Sequence, residues 1–330
     1  MYKPPRIERG HGAARLLKNL AGRTLVVTME EPWRVFRQDI TWDPHHIHLV
    51  ADMDAATLDT LEKALSLCDV VIGIGGGSCC DTAKYLAWKR GCRMVLVPTI
   101  VSVDAPFTNM VAVRVDRTVS YVGDIWPEDV IIDYTLIQKA PAHLNRAGAG
   151  DIASIHTALH DWKLAHERNG DAYCPEVARE AKACLNELDR FAEEVYAVSP
   201  KGIDTIVDLY VREVEFCARI GTSRPEEGSE HLVAYNMERL TGRHFVHGDL
   251  VALGIFLMSR LQQNNVAWAH ELMDRLGLRY RAPEVTEDEV RACLTTLKSF
   301  KDAAQLFYSV VDTAPITDAF VKEVTHDLFA

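Results

Sequence analysis

Val70-Val71-Ile72-Gly73-Ile74-Gly75-Gly76-Gly77-Ser78-Cys79-Cys80-Asp81-Thr82-Ala83-Lys84 is the stretch on which the reading of this chain turns. A β-branched apolar run, three glycines and a set of helix-opening residues follow one another, predicting a buried strand, a tight turn and a helix start. Glycines let the backbone approach a pyrophosphate, and the exposed N–H groups of the helix start add donors and a positive dipole end. Three consecutive glycines carry an entropic cost that needs a reason, so a phosphate cradle is preferred over a strand-to-helix turn without a ligand. Ser78 and Asp81 also have the spacing of a capping box. Two common nucleotide motifs do not fit. Ser78 stands where the third glycine of a Rossmann fingerprint would be, with no acidic residue about twenty positions on. A Walker A loop would need a following Gly-Lys-Ser/Thr.

Outward from this loop, Thr24 to Thr28, His46 to Val50 and Met94 to Val97 read as further strands, with a helix near Ala55 to Leu67. Strands separated by helical stretches imply parallel pairing through right-handed crossovers, hence a doubly wound sheet. Val111 to Val115 and Val119 to Val122, joined by Asp116-Arg117-Thr118, read as a hairpin added to that sheet. After Gly150 helical spacing prevails. Ile152, Ile155, Leu159 and Trp162 mark one face of a helix whose N-terminus carries Asp151, and Leu250 to Leu261 is apolar nearly all round, as in a deeply buried helix. The expected architecture is an α/β N-terminal domain with a doubly wound parallel sheet over 1–147, and an all-α C-terminal domain over 148–330.

Composition narrows the class. The chain has 330 residues, 48% hydrophobic and 25% charged, so it can bury a large core and is not disordered. A net charge of −11 argues against a nucleic-acid surface, and no apolar run is long enough to span a bilayer. No secretory h-region follows Met1, and the eight cysteines contain no Cys-x-x-Cys pair, so a reducing cytoplasm is expected.

Asp151 in Gly148-Ala149-Gly150-Asp151, His231 in Gly228-Ser229-Glu230-His231 and His247 in His247-Gly248 offer one carboxylate and two imidazoles. Such a set holds a divalent metal and leaves a position open for water or substrate. With 13 histidines and 47 acidic residues, any one of them taken alone would be read as structural; the glycine loop is what gives the trio weight. His45-His46-x-His48 reads as a strand entry, Cys79 and Cys80 as packing residues, and His156 and His160 as a helix face lacking the zincin glutamate.

Six ordered motifs covering nearly the whole chain resemble the iron-containing alcohol dehydrogenase and dehydroquinate synthase superfamily, specifically its glycerol dehydrogenase and sn-glycerol-1-phosphate dehydrogenase branch. They are Gly75-Gly76-Gly77-Ser78-x-x-Asp81-x-x-Lys84, Pro98-Thr99-Ile100-Val101-Ser102-Val103-Asp104-Ala105-Pro106, Gly148 to Asp151, Asp161-Trp162-Lys163-Leu164-Ala165, Gly228 to His231, and His247-Gly248. The resemblance implies a nicotinamide-binding domain, a helical domain and a divalent metal in a cleft between them. Asp151, His231 and His247 match the metal ligands, and zinc is the first choice of metal, with iron or nickel as alternatives. Gly75, Gly76, Gly77, Ser78 and Asp81 fall on the pyrophosphate loop, Thr99 and Ser102 line the cofactor, Glu30 is a ribose contact, and Asp104 faces the substrate.

The implied activity is NAD- or NADP-linked and metal-dependent, interconverting a small polyol or its phosphate and the ketone in a homo-oligomer. Asp161 to Ala165 and Ser229-Glu230-His231 point to sn-glycerol 1-phosphate and dihydroxyacetone phosphate, with Lys163, Arg224 and Arg243 as basic candidates for the phosphate. Asp104-Ala105-Pro106 points instead to an unphosphorylated polyol. A sugar-phosphate cyclase related to dehydroquinate synthase is the further alternative, disfavoured by Asp151 where those enzymes tend to have glutamate. Asp104, His160 and water are the candidate proton carriers.

Overall fold

A computed structural model describes residues 2–115, 118–281 and 284–330, and divides the chain into two compact units, Met1–Asn145 and Arg146–Ala330. The first unit runs β1 (Arg6–Gly10), β2 (Thr24–Thr28), α1 (Glu30–Asp39), β3 (His46–Leu49), α2 (Ala55–Ala64), β4 (Val70–Gly75), α3 (Gly77–Arg90), β5 (Arg93–Pro98), β6 (Met110–Val115), β7 (Thr118–Asp124), β8 (Asp129–Asp133) and α4 (Tyr134–Lys139). The helix α5 (Ala142–Ala153) spans the division. Six strands form a parallel sheet in the order β1-β8-β5-β4-β2-β3. β2, β4 and β8 are buried at every residue, which is why they read as continuous apolar runs rather than alternations.

The chain goes from β2 out to β3, returns across β2 to β4, and then proceeds through β5 to β8. Strand order therefore reverses between β2 and β4, where Thr28 lies opposite Ile74 at the carboxyl ends of the strands. Ligands of open α/β sheets bind at such a reversal, and the triple glycine stands there.

Three expectations are corrected in this unit. The hairpin of β6 and β7 is a separate two-stranded antiparallel sheet, tied to the α2 entry by a bridge between Asp54 and Arg114. Of its predicted turn, Asp116 and Arg117 lie outside the described residues. The edge strand β1 was not in the predicted series, because Arg6-Ile7-Glu8-Arg9-Gly10 has the charged composition of an edge rather than an apolar run. β8, with only three apolar residues between Asp129 and Asp133, was missed as well.

The second unit continues with α6 (Ile155–Asn169), α7 (Pro175–Arg190), α8 (Ala192–Tyr196), α9 (Pro200–Ile220), α10 (Ser229–Thr241), α11 (His247–Gln262), α12 (Val266–Leu276), α13 (Glu287–Ala303) and α14 (Asp318–Phe329). Among the described residues no strand follows Asp133. The helix α11 is buried on all sides at its centre, Leu250 to Ser259, as its apolar composition predicts. Its glycines set the packing. A Cβ on Gly248 would lie 1.8 Å from the Ala147 carbonyl oxygen, and one on Gly254 would lie 2.3 Å from that of Glu230. A Cβ on Gly150 would lie 2.3 Å from the Gly248 oxygen. The backbones of α5, α10 and α11 thus touch, at the segments that carry the three candidate ligands.

Candidate functional site

His231 sits in the first turn of α10 and His247 is the first residue of α11. Asp151 lies in the last turn of α5, not at the N-terminus of the following helix as its spacing suggested. The helix breaks at Ser154, whose hydroxyl lies against the carbonyls of Asp151 and Glu226 and has one proton for the two, so the run from Ile152 to Trp162 belongs to two helices.

One ligand atom from each of Asp151, His231 and His247 lies within 4.8 Å of the others. His247 Nε2 is 3.4 Å from Asp151 Oδ1, and the two imidazole rings are 5.4 Å apart at 44°. Oδ1 is shielded from solvent and has no hydrogen-bond partner among the described residues. A buried carboxylate oxygen without a donor is unfavourable by itself. Beside two imidazoles it fits a divalent cation, as does the N/N/O donor set.

Burial pushes the Asp151 carboxyl up to about 7, helped by the charges of Glu227 and Glu230 and opposed by that of His231. Burial alone would lower His231, but its hydrogen bond to Glu230 and the charges of Glu230, Glu227 and Asp151 outweigh it and raise the ring to about 9. Metal must displace both protons. Apparent metal affinity should therefore rise with pH, by about two decades per pH unit below 7, about one between 7 and 9, and level off above 9. Chelator-competition titrations from pH 6 to 9.5 check this, and a flat profile would refute it.

The cofactor candidates gather at the sheet reversal. Gly76 is the N-cap of α3, and the N–H groups of Gly77 and Ser78 belong to the first turn, which a helix leaves without internal acceptors. Gly75 has φ +151°, and a Cβ there would strike the Cys79 sulfur at 2.4 Å, so this glycine serves the turn. Gly76 and Gly77 would meet only the side-chain ends of Ile100 and Val103, at 2.9 Å in each case. Glu30, exposed, opens α1 at the carboxyl end of β2, next to the loop. Thr99 is buried, with its N–H on the Gly75 carbonyl at 3.0 Å. Ser102 and Asp104 are half-buried, and the Asp104 carbonyl closes a turn with Phe107 N at 2.7 Å.

The Ser78–Asp81 capping box is not formed, because the helix begins earlier, at Gly76. Asp81 instead pairs with the fully buried Lys84 at 2.8 Å, and Lys84 Nζ donates to the Met110 carbonyl at 2.6 Å, which fastens α3 to the hairpin. Since Ile100 ends in a flexible tip, Gly76→Val should fold. It should weaken NAD(P)H binding at least about tenfold, roughly 1.4 kcal/mol, and leave metal affinity unchanged. Calorimetric titration of the folded variant checks this, and wild-type nucleotide affinity would end the phosphate-loop reading.

The basic candidates are placed apart from one another in character. Lys163 is exposed, and Arg243 is engaged by both oxygens of Glu289 at 2.8 Å. Arg224 is buried, donating to the carbonyls of Asp161 at 3.0 Å and Tyr308 at 2.9 Å. His156 is a core residue bonded to the Asn264 carbonyl at 2.7 Å, and His45 receives the Thr24 N–H at 3.2 Å at the start of β2. Glu230 and Asp161 stand in the sequence only as parts of motifs, and it is their complete burial that sets them apart.

Residues 16–141 match the family model of the iron-containing alcohol dehydrogenases. The glycerol-1-phosphate dehydrogenase [NAD(P)+] of Hyperthermus butylicus is 31% identical over 307 residues, covering 87% of this chain and 86% of that protein. The chain belongs to the iron-containing alcohol dehydrogenase family. It is an NAD(P)-dependent dehydrogenase of that family. A second relative, the glycerol-1-phosphate dehydrogenase of Aeropyrum pernix, is 32% identical over 250 residues, 73% of this chain and 70% of its own. The fold is shared with solved structures. A probable glycerol dehydrogenase from Sinorhizobium meliloti superposes with a TM-score of 0.70 at 19% identity, over 99% of this chain and 97% of that one. Sulfoacetaldehyde reductase from Bifidobacterium kashiwanohense, solved with NAD+, gives 0.68 at 15% identity, over 99% and 97%. In this iron-containing alcohol dehydrogenase no helix among the described residues is long and apolar enough to cross a membrane.

Proposed function

We propose that this dehydrogenase interconverts sn-glycerol 1-phosphate and dihydroxyacetone phosphate, using NAD or NADP and a divalent metal held by Asp151, His231 and His247. The convergence of those three donor atoms within 4.8 Å carries the reading, and the substrate named for the curated relatives gives it direction. With both groups bound, the metal would polarise the substrate oxygen and the nicotinamide would exchange the hydride. The chain's own residues do the rest. Asp151 contributes the anionic ligand and the two imidazoles neutral ones, a set that suits zinc first. The first-turn amides of α3 hold the pyrophosphate, Glu30 takes the ribose, and Thr99 and Ser102 line the cofactor. Asp104 holds or moves the proton of the reacting hydroxyl, with His160 as the other candidate. We place the working enzyme in the cytoplasm as a homo-oligomer.

The experiment is a comparison of kcat/KM for dihydroxyacetone and its phosphate with each reduced nicotinamide, after metal loading. The phosphate should be preferred by at least about a hundredfold, since a charge-assisted phosphate contact is worth roughly 3 kcal/mol. Preference for the unphosphorylated ketone would overturn the substrate assignment and favour the reading from Asp104-Ala105-Pro106.

A further inference from the structure

We propose that Glu230 is the positioning residue of the metal site: its Oε1 holds the Nδ1 proton of His231 and thereby presents Nε2 as the lone pair for the cation. The inference rests on the three-ligand reading of Asp151, His231 and His247. Glu230 has no solvent exposure, although it immediately precedes a ligand. A single oxygen of its carboxylate receives two donors, the Gly228 N–H at 2.6 Å and His231 Nδ1 at 2.8 Å. Oε1 already accepts from a main-chain N–H, so Nδ1 is the donor that keeps its proton, and Nε2 is the nitrogen that gives its proton up to the cation. A metal-binding imidazole is commonly fixed in this way by a carboxylate on its other nitrogen, which sets both tautomer and ring orientation.

The surroundings hold Glu230 in place. The Glu230 carbonyl lies against Gly254 of α11, where a Cβ would come within 2.3 Å, so its main chain has no room to shift. Asp161, also without exposure, accepts from Ser229 N–H and from Val310 N–H, each at 2.7 Å, which pins the start of α10. A Cβ on Gly228 would stand 3.0 Å from both Asp161 Oδ2 and Glu230 Oε2, so the two carboxylates flank that glycine. Arg224, also buried, donates to the Asp161 carbonyl at 3.0 Å. The arrangement therefore buries a carboxylate behind the imidazole.

The test uses full-length protein stripped with a chelator and titrated with cobalt(II), followed by visible absorption and by competition with the chelator. Glu230→Gln keeps the volume and an acceptor oxygen but loses the charge, while Glu230→Ala loses both. Cobalt affinity should fall about 10–100-fold in Glu230→Gln and further in Glu230→Ala, with an altered cobalt spectrum and little change in the metal-free melting of Glu230→Gln. Histidine-selective 15N spectra of the unaltered protein loaded with zinc supply a measurement that no folding defect can spoil, and should show His231 protonated at Nδ1 and without a proton at Nε2. Wild-type affinity and spectrum in folded Glu230→Gln, or a zinc-loaded ring protonated at Nε2 rather than Nδ1, would overturn the inference even if the site binds metal. Absence of cobalt binding in the unaltered protein would instead bring down the ligand set and this inference together.

Discussion

His247→Ala is expected to abolish stoichiometric metal binding and to reduce turnover by about a thousandfold, roughly 4 kcal/mol of lost transition-state stabilisation. It leaves two of three ligands, and the carboxylate that remains carries a proton near neutrality unless a cation displaces it. The fold should survive, because the His247 side chain is 35% exposed at the first position of α11 and supports little packing. Bound metal by elemental analysis, far-UV circular dichroism and turnover on dihydroxyacetone phosphate separate these effects. Full metal content with wild-type turnover would remove His247 from the site.

Gly248→Ala should be among the most damaging single-methyl changes in the chain. Its Cβ would stand 1.8 Å from the Ala147 carbonyl oxygen and 2.6 Å from the carbonyl carbon, both main-chain atoms of α5 that no rotamer change can move. Overpacking typically costs about 1–3 kcal/mol, and a rigid main-chain obstacle places this site at about 3 kcal/mol or more. For a unit of this size that is a melting-point loss of about 6–12 °C. Metal affinity should fall with it, since His247 adjoins the displaced residue. Gly170→Ala is the control. Gly170 also resists a side chain, with φ +76°, but nothing lies within 4 Å of its Cβ position, so about 1 kcal/mol is expected. Equal melting of the two variants would show that the α5–α11 contact is not close.

The sequence made the parallel sheet legible because its central strands are apolar on both faces and the glycine loop fixes where one of them ends. β1 escaped that logic, since Arg6, Glu8 and Arg9 belong to an edge. The three candidate ligands could be named from motif and resemblance, yet their convergence depends on main-chain contacts at Gly150, Gly248 and Gly254. Isolated glycines inside an apolar helix such as α11 were the available signal for close approach. The helix break at Ser154 was hidden because Ile152, Ile155 and Leu159 keep a helical period across it. Asp81 looked like a cap because spacing alone does not show where a helix begins, and glycine in the N-cap position moved that start two residues earlier.

The polarity of the helices around the candidate ligands bears on what would complete a coordination shell there. Asp151 belongs to the final turn of α5, whereas both histidines belong to the opening turns of α10 and α11. Opening turns each present about half a positive charge and a final turn about half a negative one. Two against one leaves the three turns with a net positive bias of about half a charge. With a cation bound, that bias would favour an alkoxide or hydroxide over a neutral oxygen of the same size, offsetting in part the charges of Glu227 and Glu230 that oppose an anion here.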